Sequence, residues 1–194
     1  MSLRWALIAL LTGRPMTGYD ISKSFSRSVA HVWHAPDSQI YPELNRMERD
    51  GLLTSVEVPW GKKGTKKEYH VTDEGRVEFR EWMESPLAPQ RQRDPAYLKA
   101  AYFEFADPAA VREQLRQQQA YWEEHLTMLE RTRESLVDRT HPTLAARIEK
   151  LDEREAELAV RCKIYAYDGL IARARTELAW IEDGFTLVDE LHGY

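Results

Sequence analysis

Cysteine is nearly missing from this sequence. Cys162 stands alone, so no intrachain disulfide can form, and a reducing cytoplasm is the expected compartment. Long apolar runs are missing as well: nothing approaches the roughly 20 residues that a membrane span requires. The first apolar helix, residues 5–11, is too short to span, and no small-residue cleavage site follows it, so no signal peptide is expected. There is no glycine-rich phosphate loop, no serine nucleophile motif and no cysteine pair. His31 and His34 have no convincing third ligand, so neither a metal nor a cofactor is expected. Carboxylates are plentiful but lie in charge-alternating runs such as residues 149–155, the pattern of a solvated helix surface. Together these absences argue against an enzyme.

The net charge of −5 speaks at first against a nucleic-acid partner. It conceals an asymmetry. Residues 1–72 hold ten Lys/Arg against seven Asp/Glu, and the rest hold seventeen against twenty-five. A mildly basic front half on an acidic back half fits one DNA-facing module on an oligomerising scaffold. At 194 residues the chain can form one large domain or two small ones.

Residues 37–53 are the most informative stretch. Asp37 and Ser38 stand as helix caps after Pro36, Ile40, Leu44 and Met47 form an apolar stripe, and Gly51 ends the pattern. The opposite face offers Gln39, Tyr41, Asn45, Arg46 and Arg49, side chains able to hydrogen-bond base edges and phosphates. Ser38, Gln39, Tyr41 and Pro42 are expected in the first turn, which reaches furthest into a major groove and where free N–H groups favour phosphate.

Two helices precede this one. The first has Leu3, Leu7, Ile8 and Leu11 on one face and breaks at residues 13–15. Thr17 caps the second, with Asp20 in the reciprocal capping position, and that helix runs to about Val32. After Gly51 the period changes from 3.6 to 2. Val56, Val58 and Trp60 alternate along one strand and Tyr69 and Val71 along another, around a tip carrying Lys62, Lys63, Lys66 and Lys67. The tip reads either as a solvated turn kept soluble by charge or as a wing on the phosphate backbone. Each lysine–phosphate contact would steepen the salt dependence by about 0.9. Thr72 and Asp73 cap a fourth helix containing Val77, Phe79, Trp82 and Met83.

The rest reads as wholly helical. Residues 1–86 form the DNA-binding domain, 87–95 a linker within a stretch of three prolines, and 96–194 a helical domain. Asp107-Pro108 is a strong helix start, and Leu115, Trp122, Leu129 and Leu136 follow at heptad spacing. In the last helix Val160, Ile164, Tyr167, Ile171, Ala174, Leu178, Ile181, Phe185 and Val188 are separated by alternating steps of four and three. That is a coiled-coil seam over four heptads; part of it can pack on the 107–137 helix, but a second copy of the chain is its natural partner. The fold class expected is mainly α: a winged helix-turn-helix with a two-stranded wing, plus an all-α dimerisation domain containing a long coiled-coil helix. Tyr19, Trp33, His34 and Tyr41 read either as an aromatic core cluster or as the wall of a pocket for a flat aromatic acid. Trp122 and Trp180 admit the same two readings.

The motifs Gly18-Tyr19-Asp20-Ile21, Ser38-Gln39-Ile40-Tyr41-Pro42-Glu43-Leu44, Glu48-Arg49-Asp50-Gly51-Leu52 and Lys67-Glu68-Tyr69-His70-Val71-Thr72-Asp73-Glu74-Gly75 resemble the PadR family of bacterial transcription regulators. The helical second half resembles its larger subfamily, which includes phenolic-acid-responsive repressors. The resemblance implies a homodimeric repressor on an inverted-repeat DNA operator, released by a small aromatic effector. It places the recognition helix at 38–51 and the wing at 56–71, with Thr17, Ser38, Gln39, Tyr41, Pro42, Asn45, Arg46, Lys62, Lys63, Lys66, Lys67 and Tyr69 as DNA-binding positions. It assigns Tyr19, Trp33, His34 and Ser38 to the effector. The expected dimer contacts are Val160, Ile164, Tyr167, Ile171, Leu178, Ile181, Phe185 and Val188. Alternatives are a multidrug-responsive repressor of an efflux operon, a coiled-coil adaptor without DNA binding, and a small enzyme with an aromatic pocket. An adaptor would tolerate alanine at the four lysines, and an enzyme would turn its aromatic acid over.

Overall fold

The computed structural model describes residues 2–25, 35–61, 64–88 and 93–192. These fall into two compact units, Met1–Leu87 with Arg139–Ala159, and Ala88–Asp138 with Val160–Tyr194. Among the described residues, no helix is long and apolar enough to cross a membrane.

The first unit begins with α1 (Ser2–Leu11), β1 (Met16–Thr17) and α2 (Gly18–Ser24). Then come α3 (Asp37–Arg49), β2 (Leu53–Trp60), β3 (Gly64–Val71) and α4 (Asp73–Glu84). The apolar stripes read from the sequence point inward: Leu7, Ile8 and Leu11 of α1, Ile21 of α2, and Ile40, Leu44 and Met47 of α3 share one core with Leu52 and Leu53. The stop after α3 is a Schellman turn. Gly51 sits at φ +78° and donates to Glu48, and Leu52 donates to Met47 across the turn. Thr72 caps α4 through its hydroxyl, which accepts from the Gly75 N–H at 3.0 Å, and donates the same hydroxyl to the Gly51 carbonyl.

The wing is a β2–β3 antiparallel hairpin, with Leu53 opposite Val71 and Val58 opposite Lys66. A third strand, unforeseen, pairs β1 with β3 (Met16 opposite Tyr69), giving the order β1-β3-β2. The expected caps of α3 are also different. Pro36 takes the N-cap position with no side-chain hydrogen bond, and Asp37 instead accepts from the Ser22 hydroxyl at 2.5 Å. The second helix is described only to Ser24, and its expected run to Val32 lies outside the described residues.

The second unit holds α5 (Pro95–Ala100), a 3-10 turn at Phe103–Phe105, α6 (Pro108–Val137) and most of α8 (Glu153–His192). Asp107 caps α6 as expected, accepting from the Ala109 N–H at 2.8 Å. The two long helices run antiparallel. Arg112 pairs with Asp189, Glu130 with Arg175 at 2.7 Å, and Arg133 with Asp168 at 2.6 Å, so partners descend α8 as they climb α6. Val111 and Leu115 meet Ile181 and Val188 in the core between them. At 40 residues α8 is about 60 Å long.

The sequence leads one to expect a single helical domain at 96–194, with a break at His141-Pro142. The residues divide differently: Arg139–Ala159, which includes α7 (Pro142–Ile148), groups with the N-terminal unit. Arg139 makes the break, in the left-handed region at φ 56°. Its guanidinium is held by Glu153 at 3.0 Å and Glu157 at 2.8 Å. Leu144 of α7 is fully buried, and Arg147 packs against Gly13, whose added Cβ would lie 3.5 Å from that of Arg147.

Candidate nucleic-acid interface

α3 buries one face and leaves the other to solvent. Ser38, Gln39, Tyr41, Pro42, Asn45, Arg46 and Arg49 are all exposed on it, a row of donors and acceptors on one helix. Pro42 is the sixth residue of the helix, in its second turn. It has no N–H for the Ser38 carbonyl, so that acceptor is left without its intrahelical partner. Tyr41, 42% exposed, lies against the first residue of α2, where a Cβ on Gly18 would come within 2.7 Å of its ring. The glycine is therefore what lets the tyrosine lie down on α2. Glu43 is held by Arg4 at 3.1 Å and by Arg46 at 3.3 Å, while Arg4 also reaches Asp50 at 2.5 Å. These bridges staple α3 to α1 along one flank and leave the polar face open.

The wing is tied to both helices beside it. Lys67 reaches across to Glu48 of α3 at 2.8 Å, and Ser55 of β2 donates to the other oxygen of the same carboxylate. Hydrogen bonds from Lys67 and Ser55 hold Glu48 below the usual carboxylate range, and the bond to Glu48 raises Lys67. Lys66 takes the other side of the strand. Its ammonium lies 2.7 Å from the ring centre of Trp60 and 4.4 Å from that of Tyr19, and the two rings are 6.1 Å apart.

Several expected residues stand elsewhere. Thr17 is 8% exposed; its hydroxyl donates to the Asp20 carboxylate at 2.8 Å and accepts from the Asp20 N–H at 3.3 Å, so it caps α2 and is no part of the exposed face. Tyr69 is 4% exposed and sits in the core of the first unit, where burial raises its phenol. Lys66 and Lys67 are engaged within the protein, and Lys62 and Lys63 lie outside the described residues. Of the effector residues, Trp33 and His34 also lie outside them, as does His31. Ser38 is exposed on α3, and Tyr19 is half exposed against the wing. Tyr19 and Tyr41 are thus surface residues, not members of an aromatic core.

The coiled-coil seam of α8 is largely covered within one chain. Val160, Tyr167, Ile171, Ala174, Ile181 and Val188 are buried, with Ile164, Leu178 and Phe185 partly so. Burial pushes the Tyr167 phenol up to about 12. Trp122 and Trp180 pack on the core of this unit, Trp180 against Tyr97 at 4.7 Å. A contiguous apolar patch stays open at α5 and the 3-10 turn, where Leu98, Tyr102 and Phe105 are 64%, 56% and 83% exposed. They border a depression of about 440 Å³ also lined by Lys99, Phe103 and Gln114. Gln114 accepts from Lys99 at 3.2 Å, and its amide nitrogen is buried without a partner among the described residues.

Residues 7–81, which hold α3 and the wing, match the profile of the Transcriptional regulator PadR-like family. Through this segment the chain is similar to the PadR-like family. It is 37% identical over 103 residues to the negative transcriptional regulator PadR of Bacillus subtilis (strain 168), covering 52% of this chain and 56% of that one. The chain therefore spans little more than half the length of that curated relative. The crystal structure of Bacillus subtilis PadR with operator DNA is similar in fold, with a TM-score of 0.74 and 23% identity over 97% of this chain and 99% of that one. The same protein with p-coumaric acid gives a TM-score of 0.69 at 23% identity, again over 97% and 99%. Both matches extend the PadR-like fold through the helical half.

Sequence reasoning missed three parts of this interface. Trp60 carried a signal, since period 2 places it diagonal to Lys66 on the same sheet face. The Glu48–Lys67–Ser55 contact and the Arg4 fork join residues far apart in the chain, and no local pattern announces them.

Proposed function

We propose that this protein is a sequence-specific DNA-binding transcription regulator acting as a homodimeric repressor, released from its operator by a small aromatic ligand. The observation that carries the DNA-binding part is the solvent face of α3. It presents Gln39, Tyr41, Asn45 and Arg46 on a helix braced by Arg4 and flanked by a wing, inside the segment that matches the PadR-like family. A helix of this kind fits a major groove, where Gln and Asn suit adenine edges and Arg suits guanine or phosphate. Two such helices in a symmetric dimer read two halves of an inverted repeat spaced by about 34 Å or a multiple.

The second copy is proposed to cover Leu98, Tyr102 and Phe105, because the α8 seam is mostly satisfied within the chain while these three remain in water. The unpaired Gln114 amide beside them supports the same reading, since a partner surface supplies acceptors. The aromatic ligand is proposed by analogy with the p-coumaric acid complex of the Bacillus subtilis protein. Exposed Tyr19 and Ser38, with Trp33 and His34, are the proposed contacts. A coupling of about 1–3 kcal/mol would change operator affinity roughly 5–150-fold.

Fluorescence anisotropy on the DNA upstream of its own gene tests the reading. Binding there should exceed binding to a scrambled duplex at moderate salt, and Asn45→Ala and Gln39→Ala should each reduce that preference. Equal binding to both duplexes would overturn it. Adding p-coumaric acid, other aromatic acids and cationic dyes then shows which class, phenolic or multidrug, frees the DNA.

A further inference from the structure

We infer that Lys66 and Lys67 are positioning residues which lock the wing between α2 and α3, rather than contacts to the DNA phosphates. The inference rests on the DNA-binding reading above and assigns a different role to half of the wing's lysines. Consecutive residues of a strand point to opposite faces. Here the two neighbours reach two different helices: Lys66 the Tyr19 ring at the start of α2, and Lys67 the Glu48 carboxylate near the end of α3.

Each tether has a second member that fixes its geometry. On one side Trp60, diagonal to Lys66 across the hairpin, puts its ring under the ammonium, so the cation contacts both a strand aromatic and a helix aromatic. On the other side Ser55, opposite Tyr69 in the register, donates to the oxygen of Glu48 that Lys67 leaves open. The carboxylate therefore bridges α3 to both strands of the wing. The base of the hairpin is fixed separately, by pairing of β1 with β3. An antiparallel hairpin held only at its base can tilt, and the two lysine tethers remove that freedom on both faces. A wing at a fixed angle to α3 delivers its tip to one place when the helix is in a groove.

This division of labour leaves Lys62 and Lys63 to supply the phosphate charge. It also reverses the usual expectation for Glu48. An acidic residue beside a phosphate-binding lysine weakens DNA binding, so its neutralisation should strengthen it. If Glu48 holds the wing, its neutralisation should do the opposite.

The test uses the full chain and the upstream duplex, with anisotropy over a range of salt. Glu48→Gln and Lys67→Met should each weaken specific binding about two- to fivefold, with no change in the slope of log affinity against log salt. Trp60→Leu should do the same, and Trp60→Phe, which keeps an aromatic face, should restore most of the affinity. Lys62→Met and Lys63→Met should each lower the slope by about 0.9. Tighter binding by Glu48→Gln, or a slope reduced by Lys67→Met, would overturn the inference and leave the DNA-binding reading intact. Equal binding of the unaltered protein to upstream and scrambled DNA would sink that reading instead. The tether itself is checked without DNA: ring currents should shift the Lys66 ε-methylene protons upfield in NMR spectra. Unshifted signals, or no response to Trp60→Leu, would also overturn it.

Discussion

Gly18 and Tyr41 show how closely one residue governs another in this interface. A methyl group on Gly18 would enter the Tyr41 ring at 2.7 Å, so Gly18→Ala must turn the ring away from α2. Tyr41 is half exposed, and the core lies elsewhere, so the thermal midpoint should change little while specific DNA binding falls several-fold; melting curves and anisotropy on one preparation check both. Glu48 gives a pH signature. Its folded carboxyl titrates below the ordinary range because Lys67 and Ser55 bond the ionised form. A depressed carboxyl contributes stability above its unfolded pKa and loses it as pH falls through the folded one. The wing tether should thus survive acidification past the usual glutamate range and open only below it, followed by the Glu48 carboxyl carbon in an NMR titration. At this scale the sequence was a fair guide to residue type and a poor one to commitment. Lysine and threonine side chains look available in a string of letters, yet Lys66, Lys67 and Thr17 are bound to rings, a carboxylate and a cap. Their partners lie on other elements or compete locally, which residue type alone does not reveal.

Elements were the most legible level. The α3 stripe, the Gly51 stop, the Thr72 and Asp107 caps and the two strands all follow from local rules, and local rules depend on few neighbours. β1 escaped because two residues, Met16 and Thr17, have no period to detect. The α3 caps failed for a tertiary reason: Asp37 is drawn to Ser22 of α2. α3 depends on its stripe more than on its ends. Leu44 is fully buried, so Leu44→Ala should cost about 2–5 kcal/mol. Urea denaturation should show the loss, and a change under 1 kcal/mol would mean the stripe does not anchor the helix.

Across the whole molecule, the heptad pattern of α8 pointed first to a second copy of the chain. Its partner for much of the length is α6 of the same chain, an antiparallel neighbour joined to it by ion pairs and a shared apolar core. Proposed contacts with a second copy therefore move to the surface left open. If the proposed dimer forms through that surface, Phe105→Glu should leave a monomer in light scattering at micromolar concentration while preserving helicity, and a dimer unchanged by it would exclude that surface.

The return of Arg139–Ala159 to the N-terminal unit carries a practical corollary. The N-terminal unit is assembled from two stretches of chain separated by a long helix, so it cannot be excised with a single cut. A fragment ending at residue 87 would lack Leu144 and Arg147 and bare the surface around Gly13. It should melt at a lower temperature than the intact protein, and adding a peptide of residues 139–159 should bring some of that loss back.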